Sequence, residues 1–278
     1  TKGVTGYDLT RLLVGSGGTL ALITEATLKL LPAPEAVATL RVCFASSRDA
    51  LDAVSRVMHQ SVVPCALEFM DHRAIDAIRP TGTADDLPPG TRALLMVEAD
   101  GAIEDLPRQI AALKQALGGA GLLEIRSGFE RDAIAQLWAA RKSLSNAVKQ
   151  IAPLKINEDV VVPVSQLADF VDFIDHTAHA QNLAVVSFGH AGNGNLHVNL
   201  MVHPDDADEM ERARLAHEAI LLRVLALGGT LSGEHGIGTE KRRFVPLEIE
   251  PATLAIMHSI KQQFDPHGLL NPGKLFPD

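Results

Sequence analysis

The sequence predicts an α+β fold in which an antiparallel sheet carries helices on one face. Short apolar strand-like runs alternate with helical segments, and their connections favour hairpins and short crossover helices. The order strand, helix, strand occurs several times, which hints at two related modules. The repeat signal is weak, because no residues recur at a fixed period.

Length and composition indicate a globular protein and exclude several classes of partner. The 278 residues are 46% hydrophobic, which is enough for a sizeable core. A net charge of −9 without any run of Lys or Arg argues against nucleic-acid binding. Cys43 and Cys65 are too few for a disulfide framework, so we expect reduced thiols in the cytoplasm. No uncharged apolar run approaches the roughly 20 residues of a membrane helix.

The first segment combines a glycine-rich loop with a strand-like run. Gly15, Gly17 and Gly18 suit a backbone loop that lies close to a ligand. The following run of Ile, Thr and Leu predicts a strand that ends at Pro32 and Pro34, where we place a boundary. The chain opens in mid-pattern with TKGVTGYDL, and we expect it to be part of a longer protein.

Periodicity predicts the remaining elements in chain order. Strands are expected at 36–44, 65–70, 93–99, 122–127, 156–163, 183–190 and 195–202. Helices are expected at 47–60, 103–117, 131–150, 165–181 and 207–227, with a short helix after residue 70. Ser165 is the expected N-cap of its helix, and Gly228 with Gly229 is expected to end the last one.

The stretch SFGHAGNGNLHVN places two histidines on either side of a Gly/Asn turn. A strand ending at His190 and another starting near Asn195 predict a hairpin that sets His190 and His197 roughly opposite each other. Side chains so paired have Cβ atoms about 5 Å apart, within reach of one metal ion. Asn199 projects from the same strand face as His197. Alternatively, one histidine caps the hairpin and the other packs in the core.

The glycine-rich loop LSGEHGIGTEKRRF offers a further carboxylate and imidazole. Glu234 and His235 are poor core residues there, which favours a site over a surface turn, although the turn stays an alternative. With His190 and His197, Glu234 would complete a three-ligand site with an open position, the usual form of a catalytic divalent metal site. His235 would stand beside it, suited to take a proton from a metal-polarised hydroxyl.

Four motifs in the same order resemble the FAD-linked 2-hydroxy acid dehydrogenases. They are the opening TGYDL…GSxGTL…ITEATLKL, the HxGxGNxH motif, the GEHGIG loop and the terminal FDPHGLLNPGKLFP. This family contains the glycolate oxidase D subunit, flavin D-lactate dehydrogenases and D-2-hydroxyglutarate dehydrogenase. The resemblance spans essentially the whole chain.

The resemblance implies a C-terminal domain of two ferredoxin-like modules at 35–278, which binds substrate and metal. Residues 1–34 would be the tail of an FAD-binding domain whose main part lies upstream. We therefore expect the chain alone to bind little FAD and to be inactive. In relatives, the matching positions line the FAD or come near its ring: Gly15, Ser16, Gly18, Thr19, Ile23, Asn271 and Lys274.

The resemblance also implies roles in catalysis. His190, His197 and Glu234 would hold a divalent metal such as zinc. Asn199 would help to position the substrate, and His235 would act as base while hydride leaves the α-carbon for flavin N5.

Two further positions would bind substrate, and two others depart from the family pattern. Arg141, in WAARKSLSNAV, matches an arginine that binds the substrate carboxylate in relatives. The alternative is that Arg141 is an ordinary helix arginine that points into solvent. Lys155 is a less secure match, since relatives carry their substrate lysine nearer to Asn157 on the same strand face. Asn193 replaces the usual Asp, and Gly17 replaces the usual Glu.

The expected function is oxidation of a small 2-hydroxy acid, of the glycolate, D-lactate or D-2-hydroxyglutarate class, to its 2-oxo acid. Electrons would pass to a quinone, cytochrome or iron–sulfur partner, which could hold the protein at a membrane surface. The alternative is a metal- or carboxylate-binding module without catalysis of its own. A purely structural role would require every polar loop motif to be incidental.

Overall fold

The computed structural model describes residues 5–277, which form two compact units. The sheet unit is Pro32–Gly233, and the terminal unit combines the residues up to Leu31 with those from Glu234 onward. Residues 1–4, which belong to the predicted flavin-domain tail, and Asp278 lie outside the described range. The terminal unit opens with the short helix α1 (Leu9–Val14).

The first half of the sheet unit is a ferredoxin-like βαββαβ module. Its elements are β1 (Ala36–Phe44), α2 (Ser47–Met58), β2 (Ala66–Met70), α3 (His72–Ile78), β3 (Ala93–Gly101), α4 (Leu106–Leu117) and β4 (Leu122–Gly128). The strands pair antiparallel in the order β4-β1-β3-β2. This order is that of a ferredoxin-like sheet, with the two crossover helices α2 and α4.

The second half repeats this plan after helix α5 (Arg131–Val148). It contains β5 (Leu154–Val161), α6 (Leu167–Ala180), β6 (Ala184–His190), β7 (Asn195–Val202) and α7 (Ala207–Ala226). A single bridge between Val161 and Thr230 stands where the fourth strand would be. Strands β2 and β6 pair and join the halves into one seven-stranded sheet, β4-β1-β3-β2-β6-β7-β5. The predicted α+β class with two ferredoxin-like modules is confirmed.

Helices cover both faces of this sheet. Residues 38–44 of β1 are all buried, as expected of a strand with cover on both sides. Helices α2, α4, α6 and α7 form the larger layer, which corresponds to the helical face predicted from the sequence. Helices α3 and α5 add a second layer on the opposite face, where they pack on Met70, Leu94, Met96 and Phe188. We call this opposite face the histidine face, because Glu68, His190 and His197 also project from it.

Two local expectations are wrong. Residues 21–34 form no strand, and within the described chain no strand pairs with them. A strand needs a neighbour for its ladder hydrogen bonds, and a run of apolar residues alone does not supply one. Ser165 is not an N-cap but lies inside a 3-10 turn, Val164–Gln166, and α6 starts at Leu167 without a side-chain cap. The 3-10 turn leads directly into the helix, so a capping side chain is not needed at that point.

The terminal unit ends with two helices after the Glu234 loop. They are α8 (Val245–Glu248) and α9 (Pro251–Phe264). Among the described residues, no helix combines the length and apolar character needed to cross a bilayer.

Candidate functional site

The turn of the β6–β7 hairpin is tight and depends on glycine. A 3-10 turn, Ala191–Asn193, ends at Gly194, whose φ is 80°. A β-carbon on Gly194 would lie 2.0 Å from the carbonyl oxygen of Val162, so a side chain cannot be accommodated. Asn193 Oδ1 accepts a hydrogen bond from the Asn195 backbone N–H at 3.3 Å. Asparagine at position 193 is therefore compatible with the hairpin.

His190 and His197 lie on the same sheet face as diagonal neighbours. The ladder sets Phe188 opposite His197, so the expected direct pairing of the histidines is displaced by two residues. The reason is that the β6–β7 ladder ends at the pair Phe188 and His197, and the chain then leads into the turn. The imidazole rings nevertheless lie 5.5 Å apart between centroids, edge to face at 83°.

Each imidazole has a buried carboxylate beside its Nδ1. His190 Nδ1 is hydrogen-bonded to Oε1 of Glu68, a β2 residue that is 7% exposed. His197 Nδ1 lies 3.9 Å from Oδ1 of Asp159, which is directly opposite in the β5–β7 ladder. In metal sites, a carboxylate at one ring nitrogen orients the imidazole and leaves the other nitrogen as the ligand atom. The histidine pair therefore has surroundings suited to a divalent metal such as zinc.

Asp159 also fixes the backbone that leads to Glu234. Asp159 Oδ2 accepts hydrogen bonds from Ser232 Oγ at 3.2 Å and from the Gly233 N–H at 3.0 Å. Asp159 Oδ1 accepts one from Asn195 Nδ2 at 2.6 Å. A β-carbon on Gly233 would lie 2.1 Å from that Nδ2 atom, so this approach requires glycine. Asp159 thus anchors the residue that directly precedes Glu234 in the chain.

Asn199 is fully buried between β6 and β7. Its Nδ2 donates to the carbonyl oxygens of Val186 at 3.0 Å and His197 at 3.1 Å. The Oδ1 atoms of Asn199 and of Asn157, its ladder neighbour, are buried and have no hydrogen-bond partner within residues 5–277. The Asn199 amide therefore holds the two strands together, and its contact with a substrate remains a prediction.

Arg141 lies on the inner side of α5, against the histidine face. Its Nε donates to Glu68 Oε2 at 2.8 Å, and its guanidinium lies over the Phe188 ring, 5.1 Å from the centroid. The side chain is only 17% exposed, so the solvated-helix alternative does not describe it. Neither Nη atom makes a hydrogen bond to the described part of the chain. A guanidinium held in this way can offer both Nη atoms to a carboxylate.

Lys155 lies near the start of β5, opposite Met201 in the ladder. Its side chain shares the histidine face with Asn157 and Asp159, as strand alternation requires. Partial burial and then the nearby Lys149 ammonium lower the pKa of Lys155. A cationic group on this face suits an anionic ligand, although the choice between positions 155 and 157 stays open.

Glu234 and His235 belong to the terminal unit, on a loop without helix or strand. Their side chains are 51% and 46% exposed, and His235 Nε2 lies 3.9 Å from Glu234 Oε1. Gly236 and Gly238, which follow, have φ of 82° and 56°. Both polar groups are thus displayed on a glycine loop, as expected from the sequence.

The glycine-rich loop at 15–19 is held by its own hydroxyl groups. Ser16 Oγ donates to the Leu13 carbonyl and Thr19 Oγ1 to the Ser16 carbonyl, both at 2.7 Å. Gly17 and Gly18 have φ of 59° and 75°, which favours glycine at both positions. The loop thus displays backbone without side chains, which suits close approach to a flat cofactor. Gly15 caps α1, and the side chain of Ile23 is mostly exposed.

The C-terminal residues of the terminal unit support this loop. Asn271 Nδ2 donates to the Gly17 carbonyl at 2.5 Å. Lys261 Nζ donates to the carbonyl oxygens of Thr19 at 2.7 Å and Leu270 at 2.9 Å. The same ammonium is bonded to Asp265, and this bond lowers the Asp265 pKa to about 2. Lys274 is half-buried three residues beyond Asn271, and its carbonyl accepts from the Phe276 N–H.

Sequence reasoning missed Glu68 and Asp159. Glu68 lies in the strand ALEFM, which is buried from residue 67 to residue 70, and Asp159 lies in the buried part of LKINEDVV, residues 158–160. A carboxylate rarely lies in a buried strand unless it is paired, so each position carried a detectable signal.

Comparison with known proteins identifies the family. Residues 33–275 match the family model described as FAD linked oxidases, C-terminal domain. The chain belongs to this family. It is 35% identical over 275 residues to the glycolate oxidase subunit GlcD of Bacillus subtilis (strain 168), covering 99% of this chain and 58% of that protein. It is 31% identical over 276 residues to a probable mitochondrial D-lactate dehydrogenase of Danio rerio, covering 99% of this chain and 55% of that protein.

This member of the FAD-linked oxidase family thus spans little more than half the length of these relatives. Among solved structures, the match to p-cresol methylhydroxylase with substrate bound covers 90% of this chain and 54% of that protein, with a TM-score of 0.67 and 13% identity. The match to an alkyldihydroxyacetonephosphate synthase covers 96% of this chain and 49% of that protein, with a TM-score of 0.62 and 15% identity. At such low identity these two matches concern the fold alone.

Proposed function

We propose that this chain is the substrate- and metal-binding portion of a flavoprotein that oxidises a small 2-hydroxy acid to the 2-oxo acid. The observation that carries the proposal is the placement of Arg141 beside the histidine pair. Its guanidinium is fixed through Nε by Glu68, and Glu68 also holds His190. The names of the relatives, a glycolate oxidase subunit and a D-lactate dehydrogenase, support a substrate of this class.

Arg141 is proposed to bind the substrate carboxylate through its two Nη atoms. A bidentate pair fixes both the position and the plane of the carboxylate, and hence the place of the neighbouring hydroxyl-bearing carbon. Lys155 adds positive charge on the same sheet face. The amide of Asn199, which is bonded to the backbone of β6 and β7, is proposed to help position the substrate.

His190, His197 and Glu234 are the proposed holders of a divalent metal such as zinc. The carboxylates beside both imidazoles, and the anchored backbone before Glu234, support this assignment. Such an ion would supply a Lewis acid that makes a bound hydroxyl easier to deprotonate.

His235 is proposed to take the proton of the substrate hydroxyl, and loss of hydride from the α-carbon completes the oxidation. Bound FAD would supply the acceptor of the two electrons. Gly15, Ser16, Gly18, Thr19 and Ile23 would line it, with Asn271 and Lys274 near its ring. The domain assignment, a flavin-domain tail at 1–34 and a C-terminal domain at 35–278, is part of this proposal.

Turnover of the full-length protein on glycolate, D-lactate and D-2-hydroxyglutarate, before and after chelation and re-addition of zinc, tests the function. We expect oxidation of at least one acid, loss with chelation and recovery with zinc. A protein that binds zinc but oxidises none of these acids would favour a binding module without catalysis.

A further inference from the structure

Glu68 contacts both His190 and Arg141, but the proposed function assigns it no role of its own. It lies in the middle of β2, on the histidine face, and is 7% exposed. A carboxylate so buried must be paired, since an unpaired buried charge is strongly unfavourable. Each oxygen has its own partner: Oε1 is bonded to His190 Nδ1, and Oε2 accepts from Arg141 Nε at 2.8 Å.

The bond to His190 determines which ring nitrogen can bind a metal. Nδ1 faces a carboxylate, which can only accept, so Nδ1 carries the proton and donates. The lone pair then resides on Nε2, the atom available as a ligand. Replacing the Glu68 carboxylate by an amide would remove the charge that selects this tautomer.

The bond to Arg141 determines the orientation of the guanidinium. Glu68 holds Nε, and the Phe188 ring lies against the guanidinium plane, so both translation and tilt are restricted. The two Nη atoms are left for a ligand, because neither bonds to the described residues.

We propose that Glu68 is a positioning residue that sets the metal-binding histidine and the substrate-binding arginine in one fixed relation. This inference rests on the proposed function, because it assigns those roles to His190 and Arg141. One carboxylate bridges both groups, so its removal should weaken metal binding and substrate binding together. No residue that only docked α5 to the sheet would have this double effect.

Glu98 provides the matched control. It lies on the same sheet face in β3, and its Oε2 accepts from Trp138 Nε1 at 2.9 Å and from Thr39 Oγ1 at 2.8 Å. Trp138 lies one helical turn before Arg141 in α5. Glu98 therefore also anchors α5 through a carboxylate, but it contacts neither His190 nor Arg141.

The experiment compares wild type, Glu68→Gln, Glu68→Asp and Glu98→Gln in the full-length protein. Zinc affinity is measured by titration of the apoprotein, and folding is checked by thermal unfolding. KM and kcat are measured with the acid that wild type oxidises fastest. Glu68→Gln should weaken zinc binding about 10–100-fold, typical of outer-shell changes, and raise KM more than it lowers kcat. Glu68→Asp should recover part of either property, and Glu98→Gln should change neither.

The outcomes separate the inference from the function on which it rests. Equal zinc affinity and KM in Glu68→Gln and wild type would overturn the role of Glu68 alone. Equal losses in Glu68→Gln and Glu98→Gln would also overturn it, because helix docking would then explain both. Should Glu68→Gln not fold, Glu68→Asp decides: weaker zinc binding together with a raised KM would support the inference, and wild-type values of both would overturn it. A wild type without zinc affinity would refute the metal site, and this inference with it.

Discussion

His190 and His197 lie two ladder positions out of direct opposition, yet their rings are 5.5 Å apart between centroids. The register that pairs Phe188 with His197 leaves His190 beyond the last paired position, directly before the turn at residues 191–194. Glu68 is hydrogen-bonded to the His190 ring, and Asp159 Oδ1 lies 3.9 Å from His197 Nδ1. The pair is thus arranged by side-chain contacts as well as by the ladder.

Removal of either imidazole should therefore abolish tight metal binding. We expect His190→Ala and His197→Ala each to weaken zinc binding by more than the roughly 10–100-fold typical of outer-shell changes, because a direct ligand is lost. His203→Ala is the control, since His203 is an exposed histidine that pairs with Glu209. Zinc content by mass spectrometry and affinity by titration give the result; variants that retain wild-type affinity would exclude these ligands.

Substitutions of the neighbours Glu234 and His235 should have different effects on zinc content and turnover. His235→Ala should reduce turnover of the full-length enzyme by about 10²–10⁴ and leave zinc content intact, because only a general base is lost. Glu234→Ala should lose both zinc and activity, because two imidazoles alone bind divalent ions weakly. If both variants keep full zinc content and near wild-type rates, the loop is a surface turn without a chemical role.

Lys261 should matter for flavin binding although it is not expected to touch the flavin. Its ammonium joins the carbonyl oxygens of Thr19 and Leu270, so Lys261→Met should loosen the 15–19 loop. We expect weaker FAD affinity in the full-length protein, measured by titration of the apoprotein. Gln262→Ala, at the next position of α9, is the control. Unchanged FAD affinity in Lys261→Met would show that the loop does not depend on this anchor.

Asp71 should make folding stability depend on pH. Its oxygens accept from the backbone N–H of Ala74 at 2.7 Å and of Ser187 at 2.6 Å, and burial raises its pKa to about 7. Since the unfolded pKa is about 4, its contribution to stability is fully present below about pH 4 and is lost as pH rises through about 7.

The Asp71→Asn variant lacks the titrating carboxyl, and it tests whether the stabilisation by Asp71 is lost as pH rises. The variant should be less stable at acidic pH by roughly 1–3 kcal/mol, because an amide N–H would face the Ser187 N–H. The difference in unfolding free energy between wild type and Asp71→Asn should narrow as pH rises from about 4 to about 7. Urea unfolding of both proteins at the two ends of this pH range measures the difference in unfolding free energy. A difference that does not change with pH would contradict the raised pKa of Asp71.

Elements with a strong local period could be predicted from the sequence. The β1 run, the α7 run and the Gly/Asn turn after His190 each carry their signal within a few residues. The double ferredoxin-like order followed from the family resemblance, since strand pairing depends on residues far apart in the chain. The strand expected before Pro32 failed because pairing needs a neighbour that a local pattern does not reveal.

The site was predictable only in part. Histidines around a glycine turn are visible in the sequence, so His190 and His197 could be named. Glu68 could not be placed beside His190, because β2 and β6 meet only through the pairing of the two modules. The contact of Arg141 with Glu68 likewise depends on how α5 packs on the sheet.

The central claim, that this chain positions a 2-hydroxy acid for oxidation by flavin, is tested most directly by anaerobic single turnover. The measurement is the loss of oxidised-flavin absorbance in full-length, zinc-loaded protein after addition of glycolate, D-lactate or D-2-hydroxyglutarate. Lys142, the exposed neighbour of Arg141 in α5, provides the control. Oxidised flavin in wild type and in Lys142→Met should bleach with at least one acid. Arg141→Met should require acid concentrations higher by roughly 10-fold or more, because the carboxylate clamp is lost. Bleaching by none of the acids, or equal concentration dependence in Arg141→Met and wild type, would contradict the account.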